Sequence, residues 1–306
     1  MITTKTRTHR ISTSKNAEIE IVVQKRGEYP VFVEPINPDI VRIPLGESIF
    51  DSVFVKREYA KGSQYEEPKG MKFFRRGRTL SIVLDEPIKY NGEEHWVIEV
   101  KGTGADTTTR KMLIGFDYDR SLSLKYIESN SVWGGVIFED AIDEIENARR
   151  LIEIGIPMTP HIKANKIPEQ TLEAIKNEEM SLKIIGLGQV VRIAKTNIRP
   201  NDLLRCRIKE LIGEREINEM VKTDIQIDQV GEELRGGNRR LVFEGSTQDN
   251  RYLDGILTDA ENIQLVSNAR DNERMIDIAK ETKSWLYELD PKLEQMYMER
   301  YRGSAK

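Results

Sequence analysis

The sequence predicts an α+β protein of two lobes, β-rich first and helix-rich second. Between about residues 19 and 101, short β-branched and aromatic runs ("IEIVVQ", "PVFVEP", "SIFDSVFVKREY", "TLSIVLDEP", "HWVIEVKG") are bounded by Pro, Gly and Asn, the pattern of half-buried strands. After Pro200 the apolar residues recur at three- and four-residue steps, the pattern of helices. A chain of 306 residues, 38% hydrophobic and 32% charged, can bury one large core or two modest ones. The expected organisation is a flexible tail over 1–15, a β-rich lobe over 16–198 carrying one helix, and a mainly helical lobe over 199–306.

Asn91-Gly92 lies between "TLSIVLDEPIKY" and "HWVIEV", where a tight hairpin turn needs residues that tolerate positive φ. The first helix is expected over Val136 to Gly155, because Ile137, Ala141, Ala148 and Leu151 share one face and Gly155 followed by Pro157 stops it. A strand "HIKANKI", a helix "EQTLEAIKNEEM" and a strand "GQVVRIAKT" follow. One long helix is expected over "DLLRCRIKELIGEREINEMV", then a Gly-rich connection "VGEELRGGNRR", then "WLYELDPKLEQMYMERY" interrupted at Pro291. No internal repeat of 20 to 50 residues is present.

A formal net charge of -4 gives no general attraction to nucleic acid or to an anionic membrane, since both need a basic face. The single cysteine, Cys206, can form neither an intramolecular disulfide nor a thiolate zinc site. No apolar run approaches the ~20 residues that cross a bilayer. The start "MITTKTRTHRISTSK" lacks the apolar middle of a secretory signal. A cytoplasmic location is expected, and the oligomeric state is left open.

The stretch "VIEVKGTGADTTTR", Val97 to Arg110, carries the first chemistry. A strand delivers Lys101 into a loop where Gly102 and Gly104 allow close backbone approach, while Thr103, Thr107 to Thr109 and Arg110 supply donors suited to phosphate oxygens. The plainer reading is a strand ending in a polar turn with a solvated lysine. Glu144 bears on the choice, because it continues the spacing of the apolar positions 137, 141, 148 and 151. A buried carboxylate needs a partner, and Lys101 is the economical one. Alternatively the stripe is wide, Ile142, Ile145 and Ile152 mark its centre, and Glu144 sits at its edge. A strand lysine followed by a helix glutamate, in a β-rich lobe ahead of a helical one, is the plan of a protein-kinase-like nucleotide site. The fold expectation sharpens to a two-lobed protein-kinase-like fold.

Three stretches together resemble the selenoprotein O family, kinase-fold enzymes that transfer AMP from ATP to protein hydroxyl groups. "KGTGADTTTR" is similar to that family's Lys-Gly-x-Gly-x-Thr-x-x-x-Arg segment, with Lys101 and Arg110 at the matching interval. The helix ending in "LIEIGIPMT" resembles the family's helix leading into Gly-Ile-Pro-Thr, which puts the family's helix glutamate on Glu144. "VVRIAKTNIRPND" is similar to Arg-Val-x-x-Ser-His-Ile-Arg, so Arg192 and Arg199 keep the spacing of two arginines associated there with nucleotide phosphates. The resemblance covers roughly residues 96 to 205, with weaker support to about 280. It implies ATP and Mg²⁺ as cofactors and an adenylyl, or else a phosphoryl, transfer to a hydroxyl acceptor on a protein or small molecule. From the residues alone, arginine's forked donors suit phosphate; paired surface arginines are the plainer alternative.

A kinase-like site also needs oxygen ligands for magnesium. In "DGILTDAENIQLVSNARDNERMIDIAKE", Asn262 and Asp277 are the expected metal ligands, on either side of a strand pair with the turn "SNARDNE"; the resemblance implies that Asp254-Gly255 stands near the His-Gly that opens this loop in the selenoprotein O family. The match departs at the catalytic base. The selenoprotein O-like position immediately before Asn262 is Glu261, and the ordinary kinase position, five residues before it, is Leu257. Asp259 and Glu261 are the carboxylates left to activate an acceptor. His9, His95 and His161 are isolated in sequence, with no partner at metal-ligand spacing. Two further readings therefore stand beside the transferase: a catalytically silent kinase-like binding module, and a structural or assembly protein without nucleotide.

Overall fold

The computed structural model describes residues 7–12, 18–33, 40–44, 53–57, 72–76, 79–103, 136–168, 187–237, 239–243, 248, 250–267 and 277–304. The class is α+β with antiparallel sheets. Strands β1 (Arg7–Ser12), β2 (Glu18–Arg26) and β3 (Tyr29–Val33) form one sheet in that order, and β4 (Ile40–Pro44) pairs with β5 (Val53–Arg57). The central sheet takes β6 (Lys72–Arg76), β7 (Thr79–Tyr90), β8 (Glu93–Lys101), β9 (Val136–Ile137), β10 (His161–Lys166) and β11 (Leu187–Ala194). Its order is β10-β11-β8-β7-β6, with β9 on the first residues of β11. The β7–β8 hairpin turns on Asn91 and Gly92, both at positive φ (50° and 81°), as the Asn-Gly pair predicts.

Side chains alternate across β8, and that alternation separates two environments. Ile98 and Val100 join Leu80, Ile82, Val191 and Ile193 in an apolar cluster; Glu99 and Lys101 stand on the opposite face. Helix α1 (Phe138–Glu153) brings Ala141 and Ile145 against Val136 and Val190. Its end is a Schellman motif: Gly155, at φ +90°, donates to Ile152 O at 2.9 Å and Ile156 to Leu151 O at 2.9 Å. The inward residues are Ala141, Glu144, Ile145, Ala148 and Leu151, while Ile142 and Ile152 are exposed. This excludes the wide-stripe alternative that would leave Glu144 at an edge in water.

Beyond β11 come α2 (Pro200–Cys206), a 3₁₀ turn (Lys209–Leu211), α3 (Glu214–Gly236), β12 (Arg239–Phe243), a 3₁₀ turn (Ala260–Asn262), β13 (Ile263–Ser267), α4 (Ile278–Leu289) and α5 (Pro291–Ser304). Ile198, Leu203, Ile217, Met220, Trp285 and Tyr297 make the main helical core, and Val23 and Phe32 of the first sheet share it. Asn197 brackets Phe32 like a strand partner, donating to its carbonyl and accepting from its N–H, each at 2.8 Å. Ala148 and Leu151 of α1 pack with Ile227, Leu241, Leu257 and Ile263, so α1 belongs to both halves.

Three elements differ from expectation. The helix read as continuous after Pro200 breaks at Arg207, whose left-handed φ of 51° ends α2, and restarts after Gly213, whose N–H donates to Glu216 Oε2 at 2.9 Å. The Gly-rich connection is instead the end of α3, which runs through Gly231 to Gly236. Burial of Ile227 and Val230 offsets the ~1 kcal/mol that a mid-helix glycine costs. Strand β13, expected only as half of a pair across the turn "SNARDNE", pairs with β12 in the register Phe243↔Ile263, and β12 (Arg239–Phe243) is a strand the sequence pattern did not single out. The helix expected at 169–180 and residues 268–273 of the turn "SNARDNE" lie outside the described residues; of the tail expected over 1–15, residues 7–12 form β1 and the others lie outside them.

Candidate functional site

Glu99 and Lys101 point to the same side of β8, and Arg192 of β11 is the cross-strand partner of Glu99, which puts oppositely charged side chains directly together. Glu144 comes down onto them from α1. The segment Arg251–Glu261 closes the space from the helical half.

Lys101 Nζ donates to Glu144 Oε2 at 3.0 Å and to Glu261 Oε1 at 2.5 Å, and lies 3.7 Å from Asp259 Oδ1. Arg192 holds Glu99 Oε2 with Nε at 2.8 Å and Nη2 at 2.6 Å. Its Nη1 donates to Asp259 Oδ1 and to Thr258 O, both at 2.6 Å. Arg199 Nη2 reaches the same Glu99 oxygen at 3.1 Å, and the Tyr252 hydroxyl donates to it as well. His161, the first residue of β10, meets Thr159 O at 2.7 Å through Nδ1 and Glu144 Oε1 at 3.3 Å through Nε2. The Glu99, Glu144 and Arg192 side chains are 0% exposed and Lys101 4%, so this is an interior network. Glu261 marks its outer edge at 39%.

The electrostatics follow from that burial. Removal from water pushes the Asp259 carboxyl up, but Lys101, Arg192 and Arg199 hold it well below its ordinary value. The same burial acts on Glu144, where Lys101 and the His161 hydrogen bond bring the carboxyl below normal. Arg192 would be lowered by desolvation, yet Glu99 and Asp259 raise it well above normal. Tyr252 is raised by burial and by Glu99 beside it, so its phenol is a donor at neutral pH. Three cations (Lys101, Arg192, Arg199) thus face four carboxylates (Glu99, Glu144, Asp259, Glu261), and each cation has a carboxylate within 3.1 Å.

Of the residues singled out in the sequence, Lys101, Glu144, Asp259, Glu261, Arg192 and Arg199 come together. Gly102 is at the mouth of the strand at φ +91°, and a Cβ there would lie 2.7 Å from Gly188 O; close packing of β8 on β11 requires this glycine. Gly104 and Arg110 lie outside the described residues. Asn262 is in the 3₁₀ turn that follows Asp259. Asp277 caps α4, accepting from Lys280 N at 2.9 Å, and lines a groove with Asp228, Lys280 and Tyr301 that shares no residue with the Lys101 network. Among the described residues, no group of three or more His, Cys, Asp or Glu side chains is placed to hold a metal ion.

Sequence reasoning missed Glu99, Tyr252 and His161 as members of the site. Glu99 had a signal: it stands two residues before Lys101 and therefore on the same strand face. Tyr252 is 153 residues from Glu99 and His161 17 from Glu144; the register of β8, β10 and β11 brings in His161, and the placement of the 251–261 segment brings in Tyr252. Comparison of the chain with protein-family models, with curated proteins and with solved structures gave no match in any of the three.

Proposed function

We propose that this chain is a kinase-like module whose nucleotide place is filled by its own side chains, and that it acts by binding a partner and not by group transfer. A lysine on the third strand of the central sheet, paired at 3.0 Å with a glutamate of the following helix, supports the kinase-like part, since that pair aligns the lysine on phosphates in kinases. The silent part rests on one observation: among the described residues, the cations that would hold phosphates (Lys101, Arg192 and Arg199) already hold buried carboxylates. The kinase signature Val-Ala-Ile-Lys has a small alanine two residues before its lysine; the corresponding residue here is Glu99, with its carboxylate bound by Arg192 and Arg199. The glycine-rich loop that covers phosphates in kinases has little counterpart either. Only residues 77–78 connect β6 to β7, and Gly77 is the single glycine from Lys72 to Ile82.

A second reading is favoured by the Lys101–Glu144 pair and by the two carboxylates beside it: an ATP- and Mg²⁺-dependent transferase moving AMP or phosphate to a hydroxyl acceptor. Lys101, Arg192 and Arg199 would exchange carboxylates for phosphates, and Asp259 or Glu261 would accept the hydroxyl proton. Thermal unfolding with and without ATP and Mg²⁺ separates the two. A ligand at 100 times its Kd stabilises by about 2.7 kcal/mol, so the silent module is expected to show no ATP-dependent rise in Tm. A saturable rise overturns it, and ATP labelled separately at the α and γ phosphates then identifies adenylyl or phosphoryl transfer.

A further inference from the structure

One oxygen in the network is surrounded in a way that an ion pair does not require. Glu99 Oε2 meets Arg192 Nε at 2.8 Å, Arg192 Nη2 at 2.6 Å, Arg199 Nη2 at 3.1 Å and the Tyr252 hydroxyl. Its other oxygen is approached by Ser81 Oγ at 3.4 Å. The donors come from β11, from the residue before α2, from the 251–259 segment and from β7, so no single element explains their convergence. The Arg192 guanidinium is also held by Thr258 O and Asp259; the Arg199 backbone N–H is held by Asp202 Oδ2 at 2.9 Å, and its guanidinium lies 5.6 Å over the Tyr252 ring. Two guanidinium groups and a phenol gathered around one anionic oxygen are the chemistry of carboxylate and phosphate recognition.

We propose that Arg192, Arg199 and Tyr252 form a built binding site for a small oxyanion, a carboxylate or a phosphate, which Glu99 occupies as a resident, strand-tethered ligand. This rests on the filled-site reading above and names what the filled place is shaped to hold. Because Glu99 lies on a central strand with a fixed register to both neighbours, its carboxylate is tethered beside these donors. The site is therefore self-occupied, and free anions compete for it only when that carboxylate is removed.

Chemical rescue tests the inference. Shortening the side chain in Glu99→Ala opens a space about the size of acetate and leaves the donors in place. The variant is expected to melt below wild type. Formate, acetate or inorganic phosphate should then raise its Tm by several degrees more than chloride at equal ionic strength, with saturation. Wild type and Glu99→Gln, which keeps the space filled, should show no such difference. Adding Arg199→Ala to Glu99→Ala should remove the effect. A folded Glu99→Ala indifferent to all three anions overturns the proposal, as does an equal response from Glu99→Gln or from the double variant. If Glu99→Ala is unfolded in chloride, recovery of its far-ultraviolet circular dichroism in acetate, formate or phosphate is the supporting result, and absence of recovery overturns it. Phosphate acting alone, or carboxylates acting alone, identifies which oxyanion the donors fit. A rise in wild-type Tm with ATP would instead overturn the proposed function, leaving the anion result to be read separately.

Discussion

Asp254 and Asp259 lie five residues apart in one segment, and their surroundings drive them in opposite directions. Burial pushes the Asp254 carboxyl up to about 6; its hydrogen bond from Ile256 N at 3.2 Å only partly opposes this. Asp259, among Lys101, Arg192 and Arg199, is held well below its ordinary value in spite of burial. Between an unfolded value near 4 and about 6, the folded protein binds a proton at Asp254 that the unfolded chain has lost, so stability falls as pH rises through this window. Asp259 contributes the reverse: its stabilisation is complete above about pH 4 and is lost as acid carries the pH down through its depressed value. Asp254→Asn keeps an oxygen acceptor for Ile256 and removes the charge. It is expected to be more stable than wild type at pH 7 by roughly 2–3 kcal/mol and indistinguishable below pH 4, in urea unfolding across pH. An equal effect at both pH values would show that the charge of Asp254 is not what costs stability. Of these residues the sequence exposed Asp259 as a candidate only because the kinase-like positions before Asn262 are Leu257 and Glu261, which leaves Asp259 as a nearby carboxylate. Asp254 reads there as half of a turn, and nothing in its neighbours announces that Thr223 and Arg251 close over Gly255.

Helix α1 was the most legible element, since its apolar spacing, its Gly155 stop and its one inward carboxylate were all on a single face. Its second task was not legible. Asn147 Nδ2 donates to the carbonyls of Ala260 and Ile263 at 2.6 and 2.8 Å, which clips the helix to the turn that carries Glu261 and Asn262. The partners are backbone groups more than a hundred residues away, and backbone acceptors leave no mark in a sequence. Replacing Asn147 by Ala leaves both carbonyls without this donor and is expected to cost about 1–3 kcal/mol. Hydrogen exchange should rise in 260–265 and along α1, with the β6–β7 hairpin unchanged. Uniform acceleration over the molecule would mean that Asn147 acts on global stability alone. Helix boundaries after Pro200 were misread for a related reason: the apolar period continues across Arg207 and Gly213, and the break is set by local backbone geometry.

The expected division at residue 198 describes the order of elements, but the packing crosses it. Val23 and Phe32 sit in the helical core, Ala148 and Leu151 pack against α3 and β12–β13, and the ion network bridges β8, β11, α1 and the 251–261 segment. The chain after α1 adds backbone pairing: Thr159 N donates to Leu257 O at 2.8 Å and Leu257 N to Pro157 O at 3.0 Å. Lobes that open and close around a substrate need a junction that separates at low cost, as the small and polar interfaces between mobile domains do. Here separation would expose apolar side chains and strip buried charges of their partners at once, each a large penalty. The molecule is therefore expected to unfold as one unit. Trp96, in β8, and Trp285, in α4, are both buried and report the two halves separately. Retaining one of them while replacing the other two tryptophans by Phe gives two variants. In each, the fluorescence transition in urea should coincide with that of far-ultraviolet circular dichroism, the signature of two-state behaviour. A Trp96 transition completed at lower urea than the helical signal would mean that the sheet detaches first. The junction would then be a hinge, which is what the transferase reading requires and the silent module does not.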